Sequence, residues 1–451
     1  MASCATRFLL FVFLFVSLPG YAQVRDRISF NNDWRFYKYS SAEEADGLIY
    51  DVRPAINGYD DSINADAKPT DAVKINTTQQ VLKPWIMPTG NAFISDTTKH
   101  HPRPAGEPGS DFAFVQTNFD DSSWEALDLP HDWAIKGPFY TGNNPEVGGG
   151  MGRLPSHGVA WYRKQFELTD DDAGKQIYLD IDGAMSYSMV WLNGHLVGGW
   201  PYGYSSYRLD LTPYLNVDSV NQLAIRLDNP NNSSRWYPGG GIYRNVWLVK
   251  TSPVHVEQWG TQVVTKNVSA ESADVTLTLK IKNAQTRGQA VRLVNKIYQA
   301  NHAGKPTGAL VSKFATRHAM IAGNYSEAVT STVTVSNPRL WGPVPSQTPH
   351  RYVIVSQVYQ GEKLVDEYHT LFGIRKVEFD PNQGVLVNGE HIALQGVNQH
   401  HDLGALGAAF NVRAAQRQLE ILQEMGVNAI RMAHNPPAPE LLALTDKMGI
   451  L

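Results

Sequence analysis

Cysteine is almost absent from this chain of 451 residues: the single one, Cys4, lies close to the amino terminus. A disulfide framework is thereby excluded as the source of stability. The fold has to rest on cores large enough to do without one. An excess of one charge is missing too, with 39 Lys and Arg against 43 Asp and Glu and a formal net charge of −4. The two signs are interspersed, so no basic stripe suits nucleic acid or acidic lipid. Long apolar runs are lacking after the first residues, and no later segment reaches the ~20 apolar residues of a membrane-spanning helix. Internal repeats and low-complexity tracts are absent as well.

The one apolar run stands at the start. Arg7 supplies a positive charge, Phe8 to Leu18 an apolar stretch, and Gly20-Tyr21-Ala22 the small residues of a cleavage point. This predicts a secretory signal over residues 1–22, cleaved after Ala22, and a chain that is exported, periplasmic or secreted. The run is too short for a membrane anchor. Cys4 leaves with the signal.

What is plentiful is alternation. From Arg27 to Lys250 the apolar period is two: Ile177, Leu179 and Ile181 alternate, as do Leu223, Ile225 and Leu227. Met189 to Leu192 meets Asn193-Gly194, the strongest short hairpin signal, and Leu196-Val197 returns. Residues 23–250 therefore read as a jelly-roll β-sandwich. Between Asp51 and Gly109 the pattern gives way to Pro, Asn, Asp and Thr, read as an insertion with little regular structure. Residues 251–374 resume with Val275, Leu277, Leu279 and Ile281 in clean alternation. Roughly seven short strands there fit an immunoglobulin-like sandwich.

In residues 375–451 the period changes. Ile392 to Val397 reads as a buried parallel strand. Val412, Ala415, Leu419, Leu422 and Met425 follow at helical spacing, with Asn411 as N-cap and Gly426 as C′ glycine. A second strand, Val427 to Met432, precedes a second helix around Pro439 to Lys447, then Gly449 and the opening of a third strand. Strand, helix, strand, helix is how a (β/α)₈ barrel begins, and such barrels place their chemistry just past the C-terminal ends of the strands. The mature chain reads as mainly β: two sandwiches, then the start of a TIM barrel.

Four motifs are similar to those of glycoside hydrolase family 2, the β-galactosidase, β-glucuronidase and β-mannosidase group. They are Leu129-Pro130-His131-Asp132-Trp133, Val159 to Lys164, Trp236 to Arg244 with its triple glycine, and Asn428 to His434 followed by Pro436, Asp446 and Gly449. Met432 and Asn435 depart from the usual pattern, which has a small residue and a tyrosine there. The resemblance implies an exported glycoside hydrolase that cleaves terminal β-linked sugars, most readily β-galactosides, with β-glucuronides and β-mannosides as alternatives. It implies a carbohydrate substrate, while the balanced charge and the lack of a long apolar run argue against a nucleic-acid partner and a membrane span. It implies no cofactor in this chain, and leaves a metal ion and a homo-oligomer open for a full-length enzyme.

The same resemblance gives His400 and His434 the role of holding sugar hydroxyls, with Asn398 and Arg431 orienting substrate; the alternative for the histidines is structural. Arg431 could equally stitch the barrel mouth through an ion pair. His400 and His401 as a metal pair is the weaker idea, since adjacent residues rarely reach one ion. Trp236 and Tyr237 suit a lip over the site or a turn packing the sandwich on the barrel. Trp200, Tyr202, Tyr204 and Tyr207 suit a sugar platform or, better, domain packing. Asp132 and Trp133 read as structural.

A retaining glycosidase needs two carboxyl groups ~5–5.5 Å apart. In the family these are glutamates on the fourth and seventh barrel strands, the first of them preceded by asparagine. No Asn-Glu pair occurs in residues 1–451. The glutamates near at hand, Glu420 and Glu424, share a helix face with Arg413 and Arg417 and read as a solvated surface. The expectation is that both catalytic glutamates lie beyond Leu451 and that this chain alone is an inactive fragment. A reading from another class is a non-catalytic carbohydrate-binding or scaffold protein of two sandwiches, which unpaired barrel strands argue against.

Overall fold

The computed structural model describes residues 24–41, 44–50, 80–82, 96–100, 106–141, 153–230, 234 and 236–451. The predicted signal, residues 1–22, and most of the 51–109 stretch lie outside them. Within that stretch Gln80–Leu82 pairs in parallel with Leu48–Tyr50, and Thr97–Lys99 forms one 3₁₀ turn.

The first sandwich packs a four-stranded sheet on a six-stranded one. The smaller runs Asp26–Ser29, Val246–Thr251, Gln176–Ile181, Tyr207–Asp210; the larger is centred on Gly158–Phe166 and Asn221–Asn229. Every pairing in both sheets is antiparallel. The alternation does the sorting: Ile177, Leu179, Ile181, Leu223, Ile225 and Leu227 all enter the core between the sheets. The Asn193-Gly194 hairpin forms as expected, with φ of 52° and 83° at the two turn residues.

The outer face of the six-stranded sheet is covered as well. Trp124, Trp161, Trp191, Met189 and Leu196 form a second cluster there, under residues 107–124. Two arginines on this face are fully buried and paired, Arg226 with Asp46 at 2.7 Å and Arg163 with Asp121 at 2.7 Å. Buried guanidinium groups require such partners.

The immunoglobulin-like sandwich has eight strands in a three-stranded and a five-stranded sheet. Several are long rather than short, Val254–Lys266 spanning 13 residues. In Ser272–Asn283 burial alternates at every residue, so Val275, Leu277, Leu279 and Ile281 face the core. The bidentate ion pair of Arg25 with Asp366 at 2.8 Å ties the first sandwich to the second.

In the third part the helices are Val412–Glu424 and Pro439–Met448. Asn411 accepts a hydrogen bond from Ala414 N and Gly426 adopts φ of 87°, so both marked ends hold; Gly449, at φ of 70°, ends the second helix. The strands are shorter than the sequence suggests, Gly396–Gln399 and Ala429–Met432, paired in parallel. The strand expected from Ile392 starts at Gly396 because the Asn428 side chain intervenes. It accepts from Gln395 N and donates to Ala393 O, replacing ladder bonds with an amide bridge. Leu451 N donates to Asn428 O and its carbonyl accepts from Ile430 N, at 2.9 Å each. A small antiparallel sheet, Val377–Asp380, Gly384–Val387 and Glu390–His391, precedes the barrel segment.

Candidate active site

Three aromatic rings from two domains meet at the barrel mouth. His400 follows the first parallel strand and His434 the second. Their ring centroids lie 5.5 Å apart with planes at 89°. Trp236, from the sandwich, sits 5.6 Å from His400 and 5.4 Å from His434. Its indole N–H donates to the Tyr204 hydroxyl at 3.0 Å, which fixes the plane of the ring. Asn398 and Arg431 are register partners on the two strands, and the guanidinium donates to Asn398 Oδ1 at 3.4 Å. Arg431 thus meets an amide where an ion pair was one of two expectations. All four predicted substrate residues occupy the mouth, Asn398 and Arg431 on the open face of the strands and the histidines against the tryptophan. Among the described residues, no three His, Cys, Asp or Glu side chains stand together as a metal site.

One buried carboxylate organises the loops behind this face. Asp132, fully buried, accepts from Ala134 N, Gly240 N and Ala408 N at 3.1, 3.1 and 2.8 Å and from the Tyr237 hydroxyl at 2.6 Å. It therefore joins its own segment, the Trp236 loop and the loop after His400. Burial pushes its pKa up, and these four donors oppose the shift. The contact demands glycine. Gly407 has φ of 58°, and a Cβ there would lie 2.4 Å from Asp132 Oδ2; one on Gly239 would lie 2.4 Å from Ala408 Cβ. Trp236 to Gly241 consequently packs the sandwich on the barrel, with Trp236 against the two histidines.

His401 points the other way from its neighbour. Its ring packs edge-on to Tyr204 at 5.1 Å and to Tyr243 at 5.8 Å, and Nε2 donates to Pro238 O at 3.0 Å. Burial lowers its pKa to about 4, so the ring is neutral near pH 7. Domain packing also claims Trp200, stacked on Tyr207, and Tyr204. Tyr202 stays 47% exposed and donates its hydroxyl to Asn435 Oδ1 at 2.6 Å. This pair escaped the sequence reading, where Asn435 stood out only as an unusual residue.

The glutamates of the barrel segment are engaged elsewhere. Glu378 pairs with Lys376, Glu390 accepts from Gln347, Glu420 pairs with Arg413, Glu440 accepts from Asn245, and Glu424 is exposed. None of them makes a pair across the histidine face.

Comparison with known proteins follows the same three domains. Residues 125–237 match the "Glycosyl hydrolase 2 galactose-binding domain-like" family model, 254–375 match "Glycosyl hydrolases family 2", and 379–451 match "Glycosyl hydrolases family 2, TIM barrel domain". The β-galactosidase BoGH2A of Bacteroides ovatus is 44% identical over 345 residues, covering 76% of this chain and 39% of that protein. A putative β-glucuronidase of Formosa agariphila is 33% identical over 339 residues, covering 75% of this chain and 31% of that protein. This chain thus spans well under half the length of either relative. A crystal structure of a family 2 glycosyl hydrolase from Bacteroides cellulosilyticus superposes with a TM-score of 0.72 at 27% identity, over 94% of this chain and 45% of that one. Matched in all three domains, and in the order in which the motifs had placed them, the chain belongs to glycosyl hydrolases family 2.

Proposed function

We propose that this chain carries the sugar-holding wall of an exported glycosidase that cleaves terminal β-linked sugars, β-galactosides first, by a retaining two-carboxylate mechanism. The observation that carries the reading is the packing of Trp236 on both His400 and His434 across a domain boundary. An indole face suits the apolar C–H face of a hexose, and two imidazoles beside it suit the hydroxyls. The galactoside preference draws on the name of the Bacteroides ovatus relative, and the second reading, a β-glucuronide, on that of the Formosa relative.

The two carboxyl groups come, on this reading, from further βα units. Leu394, Met425 and Leu442 are 53%, 73% and 48% exposed. Apolar surface of this kind suits a covering layer. Residues 23–451 alone are therefore expected to turn nothing over.

The decisive assay offers aryl β-galactoside, β-glucuronide and β-mannoside to the protein as its gene encodes it. Turnover of none would overturn the glycosidase reading, and turnover by residues 23–451 alone would overturn the placing of the carboxylates. Export is tested separately by N-terminal sequencing, which should begin at Gln23.

A further inference from the structure

Behind the histidine face, between sandwich and barrel, lies a cavity of about 20 Å³ lined by Gln399, His401, Asn435, Tyr243 and Arg244 among others. Three buried polar atoms of that lining make no hydrogen bond to protein: Gln399 Oε1, His401 Nδ1 and Asn435 Nδ2. Their roles follow from what their other ends do. His401 Nε2 faces a carbonyl oxygen, so it carries the proton and Nδ1 is left as an acceptor. Gln399 donates Nε2 to Gln418 Oε1 at 2.7 Å, which leaves Oε1 as an acceptor. Asn435 Oδ1 accepts from the Tyr202 hydroxyl, which leaves Nδ2 as a donor.

Two acceptors and one donor around a space this size describe the partners of a single molecule. A water needs ~10–15 Å³ of such volume and about three hydrogen bonds. We propose that the cavity binds one ordered water, which donates to His401 Nδ1 and Gln399 Oε1 and accepts from Asn435 Nδ2. A cation is the wrong occupant, because an amide donor faces the space and the Arg244 guanidinium lines it. A dry cavity is the wrong state, because it would leave three buried polar groups without a hydrogen-bond partner.

The water has a job beyond satisfying those groups. Gln399 and His401 flank His400, and Asn435 follows His434. One molecule therefore ties the ends of both parallel strands together and, through Tyr202 and Pro238, to the sandwich. It positions the two histidines against Trp236, a role that rests on the glycosidase reading given above.

Crystallography of the protein as its gene encodes it tests the site directly. The expected density is one water within hydrogen-bonding distance of all three atoms; a dry cavity or a coordinated cation overturns the site. His401→Gln keeps an acceptor and should keep the water, whereas His401→Phe should expel it and displace the His400 and His434 rings. With the fold intact by circular dichroism, His401→Phe should lower kcat/KM about ten- to a hundredfold, chiefly in kcat, and His401→Gln should restore most of it. Equal kinetics and unmoved rings in the two variants overturn the positioning role while leaving the water site standing. A wild type inactive on every glycoside sinks the glycosidase reading instead, and the crystal structures then judge the water and the ring positions alone.

Discussion

Trp236 and His434, 198 residues apart in sequence, hold their ring centroids at 5.4 Å and 60°. One belongs to the sandwich and the other to the barrel, so the candidate site exists only where the domains are docked. The docking is polar as well as apolar: Phe410 N donates to Tyr243 O at 2.9 Å and Arg244 to Pro436 O at 2.8 Å. A main-chain bond and a guanidinium bond fix the approach of the two domains in direction as well as in distance.

Replacing Trp236 tests whether its face holds sugar. Trp236→Ala in the active protein should lower kcat/KM about three- to tenfold, since aromatic contacts contribute ~0.5–1.5 kcal/mol beyond their area. Trp236→Phe keeps a ring but loses the N–H to Tyr204, and should recover part of the loss. Steady-state kinetics on aryl glycosides would refute the assignment if alanine matched wild type.

The two histidines make a sharper case. His400→Ala and His434→Ala should each lower kcat/KM by on the order of 2–4 kcal/mol, the size of a hydrogen bond that strengthens in the transition state. If both variants keep wild-type kinetics, the rings serve packing alone.

Asp132 should reveal itself in stability before activity. Asp132→Ala leaves four donors without their acceptor, and at least about 3 kcal/mol of unfolding free energy should go with it. Asp132→Asn keeps one oxygen and turns an NH₂ toward two of the donors, so it should fall between. Urea unfolding of residues 23–451 suffices for the measurement, and a change under about 0.5 kcal/mol in the alanine variant, the range of an ordinary surface substitution, would show that the loops hold without this carboxylate.

Local signals were legible in the sequence and long-range ones were not. Asn411, Gly426 and Gly449 mark helix ends through bonds within a few residues, and Asn193-Gly194 does the same for its hairpin. The strand expected at Ile392 slid to Gly396 because Asn428, more than thirty residues on, bridges the backbone there. The tryptophan layer over the outer sheet face was invisible for the same reason: Trp124, Trp161 and Trp191 come together only once the sheet exists. In the candidate site, His400 and His434 were read as lying past successive strand ends, and the structure brings their rings to 5.5 Å. The Tyr202–Asn435 bond joins residues 233 apart, and nothing in the spacing announces it.

The pH dependence of stability follows from three histidines buried neutral. His131 and His401 are each lowered to about 4 and His255 to about 3, in every case chiefly by burial. Unfolding restores a value near 6.5, so between roughly pH 4 and 6.5 the unfolded chain binds more protons than the native one. Stability therefore rises with pH across that window, each histidine contributing up to about 1.4 kcal/mol per pH unit. Asp182 works against them. Burial raises its carboxyl to about 6 despite the Trp247 N–H at 2.8 Å, so its contribution is fully present below pH 4 and is lost as pH rises to about 6. Asp132 and Asp446, also raised by burial, act with Asp182. The histidines titrate over the wider window and the net slope should be positive, so acid should unfold the protein from about pH 6 downward. His255→Gln should flatten the slope by one proton's worth, and Asp182→Asn should steepen it between pH 4 and 6. Urea midpoints at a series of pH values read both; a slope unchanged in His255→Gln would mean that this ring takes up its proton in the folded state.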